Sequence, residues 1–358
     1  MEWSDDNRYN PFNSYKGLLW EDSHYKPIRS WFKGEGPLPP PIEISFDICH
    51  NCNFKCHHCN SQRHTNRNKG VLGEYELLQA LDLFKTLGAK AVCFGGGGEP
   101  TLNEEPLVQA IEWLAHTSME SAVATNGLKM DSVSPMLTLC KWVAVSVDAA
   151  TEETFEKVHG VRGIMRVRKN TKKLIKEKKE YASDTFISFR FLITPDNWKE
   201  IERACRLAKG WGVDAFHARP ADLGRSDVPL EVNYDTEQAN LLLDQCHELE
   251  TEDFRVVTAR HKFGRKFEVI HPFKKCVASP LVLQACADGN SYVCPDHKLE
   301  DKYKLCKTMD IRGYWGTDSH RELLQGIDVG KECSRCTWGE YARQIETLEG
   351  DPMHRCFP

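Results

Sequence analysis

Ile42-Glu43-Ile44-Ser45-Phe46-Asp47-Ile48 is a strand-like run, and it leads through Cys49-His50-Asn51 into Cys52-Asn53-Phe54-Lys55-Cys56-His57-His58-Cys59. The stretch reads as a buried strand that exits into a CxxxCxxC loop. Thiolates at this spacing can wrap a short loop around one face of an iron–sulfur cube, and three ligands leave the fourth iron open to a cosubstrate. The alternative is a structural zinc site. Zinc loops usually use a tighter CxxC knuckle with a second pair nearby, and His57 and His58 keep that option open.

Beyond this stretch, short apolar runs alternate with amphipathic ones, the pattern of βα units that build a parallel sheet. The expected strands are Ile42 to Cys49, Ala91 to Phe94, Ser121 to Thr125, Trp142 to Val147, Thr185 to Ile193 and Ala215 to Ala218. Helices are expected over Glu74 to Leu87, Glu105 to His116, Thr151 to His159, Arg166 to Glu180 and Asn197 to Lys209. Six such units are too few to close an eight-unit barrel, so the fold class is α/β, a partial (β/α)6 TIM-like barrel. Its working face lies at the C-terminal strand ends, where the cysteine loop, Gly95 to Pro100 and Thr125-Asn126-Gly127 converge.

The expected organisation has four parts. Residues 1–41 form an aromatic-rich arm that ends in the stiff segment Pro37-Leu38-Pro39-Pro40-Pro41. Residues 42–235 form the barrel, and residues 236–275 a connecting helix (Thr236 to Leu249) and strand (Phe254 to Ala259). Residues 276–358 form a small cysteine-rich module with a final helix from Trp338 to Leu348.

A chain of 358 residues with 41% hydrophobic content has enough material for a sizeable core. No apolar run approaches the roughly 20 residues of a membrane span, and MEWSDDNRYN lacks the basic-then-apolar order of a signal peptide, so a cytoplasmic location is expected. Reduced thiols are the rule there, so the 15 cysteines point to metal ligation rather than disulfides. The net charge of −5 gives no overall attraction to nucleic acid. Arg166 to Lys179 holds eight basic residues, read as a solvated outer helix face. Arg63, His64, Arg67 and Lys69 follow the cysteine loop near the barrel mouth and are candidates for holding an anionic substrate.

In combination these motifs resemble the radical S-adenosylmethionine (radical SAM) superfamily. The CxxxCxxC loop, Gly95-Gly96-Gly97-Gly98-Glu99-Pro100 after the second strand, Ala124-Thr125-Asn126-Gly127 after the third and Val145-Ser146-Val147-Asp148 on the fourth follow the family's order. The resemblance implies that Cys52, Cys56 and Cys59 hold a [4Fe-4S] cluster whose open iron chelates SAM. It also implies that a low-potential electron splits the sulfonium to give a 5'-deoxyadenosyl radical, which takes a hydrogen atom from substrate. Gly96, Gly97, Gly98, Glu99, Thr125, Asn126, Ser146, Asp148 and Arg190 become candidate SAM contacts. Glu99 and Pro100 replace the Lys-Ser/Thr that a phosphate-binding glycine loop requires. His58 stands where the family usually has an aromatic residue.

Cys276, Cys294, Cys333 and Cys336 resemble the auxiliary-cluster extension called SPASM in its full form and twitch in its shortened form. One auxiliary [4Fe-4S] cluster is expected, with a four-thiolate zinc site as the alternative. Cys306 is a candidate hydrogen-atom donor, and Cys286 and Cys356 have no assigned role.

The expected reaction is hydrogen abstraction from a small-molecule or sugar-like substrate, with net oxidation through the auxiliary cluster and an electron donor such as flavodoxin or ferredoxin. Peptide or protein maturation is the second enzymatic reading. Leader-binding domains of such enzymes run to about 80 residues, whereas 41 residues precede Ile42 here. A zinc-binding nucleic-acid or interaction protein is the non-enzyme alternative.

Overall fold

The structure, a computed structural model, describes residues 17–61, 70–221, 232–260, 266–267, 271, 273–334 and 336–347. Arg63, His64, Arg67, Lys69 and Cys356 lie outside the described residues. Six parallel strands appear in the expected places: β1 (Glu43–Asp47), β2 (Ala91–Phe94), β3 (Glu120–Thr125), β4 (Trp142–Ser146), β5 (Phe186–Ile193) and β6 (Ala215–Pro220). Each pairs in register with its sequence neighbour, as short βα crossovers require.

The sheet extends further than six strands on both sides. β7 (Arg255–Thr258), expected in a connector, adds a seventh parallel strand beside β6. At the opposite edge β8 (Val282–Cys286) pairs in parallel with β1, from Glu43↔Val282 to Asp47↔Cys286. β9 (Asn290–Tyr292) and β10 (Lys304–Lys307) follow as antiparallel strands. The order is β10-β9-β8-β1-β2-β3-β4-β5-β6-β7, with β7 and β10 unjoined, so the barrel is partial.

Alternation along the strands separates two environments. Ile44, Phe46 and Ile48 are 0–1% exposed and face the helical layer, where Phe46 meets Phe84 edge-on at 5.4 Å. Helix Glu74–Leu87 buries Leu77, Ala80, Leu81 and Phe84, one stripe at helical spacing, and Gly88 at φ +107 ends it. The opposite row, including Ser45, Cys93, Ala122, Ala124, Ala144 and Ser146, carries small or polar side chains. The lumen therefore stays open toward the C-terminal strand ends. The basic helix Ile164–Glu180 buries Ile164, Val167 and Leu174 and pairs outward lysines with acids, as in Lys178–Asp214 at 2.7 Å. Cys205 and Cys246 are fully buried between helices Ile201–Trp211 and Thr236–His247. Among the described residues, no helix is long and apolar enough to cross a membrane.

The described part of the N-terminal arm docks on the C-terminal part of the chain. The Trp31 indole N–H donates to the Gly316 carbonyl at 2.8 Å, and the Tyr25 hydroxyl reaches Gln344 at 3.3 Å. His320 sits among Trp31, Tyr314 and Trp315, with ring centroids 4.9–5.7 Å apart, and accepts the Gly316 N–H at Nδ1. Burial lowers its pKa to about 4. A lowered folded pKa favours the neutral form, so this contribution is complete above the unfolded value near 6.5 and is lost as pH falls toward 4. Between pH 7.5 and 5 the wild type should lose about 2 kcal/mol more stability than His320→Gln, a difference that urea unfolding at the two pH values measures.

Candidate active site

Three loops at the C-terminal strand ends are stitched together, the first two by main-chain bonds and the third through the Glu99 side chain. Gly98 N–H donates to the Cys49 carbonyl at 2.9 Å, and Glu99 N–H to the Asn51 carbonyl at 2.8 Å. A Cβ on Gly98 would stand 2.2 Å from the Asn51 oxygen, so the cysteine loop passes where only glycine leaves room. The Glu99 carboxylate is 2% exposed and accepts from Thr101 N–H (3.1 Å), the Thr101 and Thr125 hydroxyls (2.7 and 2.6 Å) and Asn126 N–H (2.7 Å). Burial pushes its pKa up, and these donors oppose that rise. Asn126 in turn donates to Asn53 Oδ1 at 2.6 Å, inside the cysteine loop.

Cys52, Cys56 and Cys59 line one cavity of about 620 Å³ together with Gly96, Gly97, Gly98, Glu99, Thr125, Asn126, Ser146, Asp148 and Arg190. The size is that of a small-molecule site. The candidate SAM contacts of the barrel mouth thus reach a single space, which His159, His217, Arg219 and Lys55 also line.

Within the cavity wall the acids already have partners. Asp148 takes a left-handed backbone conformation, φ +51, held by Leu192 N–H to its Oδ1 (2.6 Å) and by the Asn197 amide to its carbonyl (2.8 Å). Its Oδ2 faces His58 Nε2 at 3.6 Å and His159 Nε2 at 3.8 Å. Burial raises the Asp148 pKa, but His58 and His159 outweigh it and leave the carboxyl below its usual range. His159, lowered to about 4 by burial, donates Nε2–H to the Val147 carbonyl at 2.8 Å, which leaves Nδ1 facing Cys56 Sγ at 3.0 Å. Arg190 lies 5.2 Å from the Trp142 ring, its buried Nε without a hydrogen-bond partner among the described residues.

The cysteine loop fits an iron–sulfur cluster better than a single ion. Phe54 N–H points to Cys52 Sγ at 3.4 Å, a backbone donor to sulfur of the kind that tunes such clusters. A tetrahedral zinc with Zn–S bonds near 2.3 Å holds its sulfurs about 4 Å apart. Among the described residues, the group of potential ligand atoms lying within 4.8 Å of one another is Asp47, His50 and Cys286, not the triplet. Burial pushes the Cys56 thiol well above its ordinary value. Ligation therefore has to drive the thiol's proton off.

Cys276, Cys294, Cys333 and Cys336 line a second, small cavity with Phe273, Ile327 and Trp338. Burial, then the neighbouring Cys336 and Cys333 sulfurs, raises the Cys276 thiol. The Gly289 turn (φ +79) joins β8 to β9 and sets Cys294 just past the hairpin. Cys306 lies on the edge strand β10 and is not among the residues lining either cavity.

Sequence reasoning passed over Asp47, His159, His217, Arg219 and Lys298. Asp47, the last residue of β1, and the alternate positions His217 and Arg219 on β6 were readable as inward-facing polar residues at the strands' C-terminal ends. His159 and Lys298 carry no such local signal. Glu99→Gln replaces an acceptor-only carboxylate with an amide whose NH2 must face the N–H of Asn126 or Thr101. It should cost about 2 kcal/mol in urea unfolding of the metal-free protein.

Residues 47–208 match the family model described as the Radical SAM superfamily. Over 302 residues the chain is 25% identical to a probable GTP 3',8-cyclase of Saccharolobus islandicus, spanning 80% of this chain and 92% of the relative. A probable GTP 3',8-cyclase of Metallosphaera sedula is 26% identical over 193 residues, 52% of this chain and 59% of the relative. Streptococcus suis SuiB bound to its precursor peptide SuiA superposes with a TM-score of 0.64 at 16% identity, covering 98% of this chain and 81% of that one. Native anSMEcpe with bound AdoMet gives 0.58 at 18% identity, covering 85% and 89%. The matched stretch contains the cysteine loop, the glycine loop and five of the barrel strands or their ends, so this part of the chain carries a radical SAM domain, the kind that works with a [4Fe-4S] cluster and S-adenosylmethionine.

Proposed function

We propose that this enzyme abstracts a hydrogen atom from a small anionic molecule held in the barrel mouth. The observation that carries the reading is the shared cavity: cysteine loop and glycine loop on one wall, and Arg190, His217 and Arg219 from β5 and β6 on another. Cys52, Cys56 and Cys59 would hold a [4Fe-4S] cluster, whose chemistry when bound would be to supply the electron that cleaves SAM to methionine and a 5'-deoxyadenosyl radical. Gly96, Gly97 and Gly98 let the methionine end of SAM approach the backbone, and Glu99 fixes that loop against Thr125 and Asn126. Ser146 and Asp148 face the sugar of SAM, and Arg190 offers a guanidinium to its carboxylate.

Substrate charge is met by Arg219, His217 and Lys55. Glu99 and Asp148 are tied to their own donors, and among the described lining residues Lys55, Arg190 and Arg219 bring cationic groups that suit a phosphate or carboxylate. Similarity to relatives named for GTP, extending over most of the chain, favours a nucleotide or sugar phosphate over a peptide. Cys276, Cys294, Cys333 and Cys336 would hold one auxiliary [4Fe-4S] cluster, which could take the unpaired electron of the substrate radical as a proton leaves to solvent. A cytoplasmic carrier such as flavodoxin or ferredoxin delivers the initiating electron.

Anaerobic reconstitution, reduction and chromatography for 5'-deoxyadenosine test the reading. The wild type should form it, and Cys56→Ala should form none. No 5'-deoxyadenosine from a protein carrying its full iron would overturn the assignment. With GTP as probe, Arg219→Leu should weaken equilibrium binding about tenfold while leaving substrate-independent SAM cleavage in place. A wild type that binds a peptide and not GTP would move the substrate to the maturation class.

A further inference from the structure

Lys298 belongs to the cysteine-rich part of the chain, yet its ammonium lies under the glycine loop of the barrel. The residue is 3% exposed. Its Nζ donates to Asp47 Oδ2 at 2.7 Å, at the end of β1, and to the Gly96 carbonyl, which also accepts from the Ser61 hydroxyl at 2.5 Å. The loop is moulded on this ion pair. A Cβ on Gly97 would stand 2.8 Å from Asp47 side-chain atoms, and one on Gly96, at φ +100, would lie 3.4 Å from both Asp47 Oδ1 and Lys298 Nζ. The ammonium also accounts for the nearby Asp47, His50 and Cys286 trio, because it supplies the positive charge that an ion there would bring.

The other end of the same segment is tied to the four cysteines. Cys294 is four residues before Lys298, and His297 N–H returns to the Cys294 carbonyl at 3.2 Å. His297 Nε2 lies 3.6 Å from Cys333 Sγ, and its ring stacks on Tyr303 at 3.9 Å. Asp296 accepts from the Thr337 N–H and hydroxyl, next to Cys336. Five consecutive residues therefore run from the quartet to the loop that lines the active-site cavity.

We propose that Lys298 is a positioning residue through which the four-cysteine module sets the conformation of Gly96 and Gly97, so that SAM binding depends on a part of the chain that does not line the SAM cavity. The proposal rests on the reading that this glycine loop binds SAM. A buried ammonium shared between a carboxylate and a carbonyl fixes both more firmly than neutral hydrogen bonds do. Removal of the lysine alone strands a buried carboxylate.

The test measures SAM affinity by equilibrium binding to anaerobically reconstituted protein, with iron content and the EPR spectrum of the reduced cluster with and without SAM. Lys298→Met should bind SAM about tenfold more weakly at unchanged iron content, with a smaller SAM-induced change in the spectrum. Lys298→Arg should recover most of the affinity. The double variant Asp47→Asn with Lys298→Met removes the stranded charge, so it should regain stability but not affinity. Wild-type affinity in Lys298→Met or in the double variant would overturn the coupling alone. A wild type with full iron that binds no SAM would overturn the glycine-loop reading and the coupling with it.

Discussion

The active site depends on the close passage of the glycine loop against the cysteine loop. Two main-chain hydrogen bonds, from Gly98 and Glu99 to the carbonyls of Cys49 and Asn51, set the spacing between the first and second βα loops. That spacing leaves no volume for a side chain at Gly98. The loop's last polar residue, Glu99, then extends the join to the third loop by accepting from Thr125 and Asn126. A buried carboxylate accepting four hydrogen bonds tolerates little rearrangement, because each donor would be left unsatisfied if it moved away. Thiol positions, glycine backbone and cavity shape are thereby fixed as one unit.

A second constraint is the burial of charge in a barrel lumen made of small side chains. Ala122, Ala124, Ala144 and Ser146 leave space that Arg190, Asp148 and His159 use. Each charge is placed with an opposite or polarisable neighbour: Arg190 beside the Trp142 ring, Asp148 between two histidines and a main-chain amide. The strained φ of Asp148 is the local consequence, maintained because Leu192 and Asn197 over-determine the carboxylate and the carbonyl. Loss of any one partner would leave its mate uncompensated in a low-dielectric wall.

Much of this was legible in the sequence, for reasons that are local. Strands β2 and β4 and helix Glu74–Leu87 begin where apolar periodicity starts, and Gly88 punctuates the helix end. The convergence of Cys52, Gly98 and Asn126 follows from chain order alone, since successive parallel strands deliver their loops to one end of a sheet. Pairing of distant segments left no such trace. Val282–Cys286 is buried at every position, so it lacks the alternation that would reveal a strand with one face on the lumen, and its partner β1 lies more than 230 residues earlier. The same distance hides Lys298, whose acceptors Asp47 and Gly96 precede it by 251 and 202 residues. His159 closes a helix whose apolar stripe was readable, while its contact with Cys56 spans 103 residues of separation.

The pairing of β8 with β1 changes how the two cysteine sites should be regarded. β1 ends five residues before Cys52, and β8 leads through the Gly289 turn to Cys294 eight residues beyond its own end. Hydrogen-bonded strands with a shared register move together, so the segments that carry the two sites have a common base before any loop contact is counted. Lys298 adds a second tie at the end of β1, to Asp47. The relative placement of the two sites is therefore a property of the sheet itself, and the glycine loop, held between Asp47, Lys298 and Asn51, is where that placement reaches the cavity.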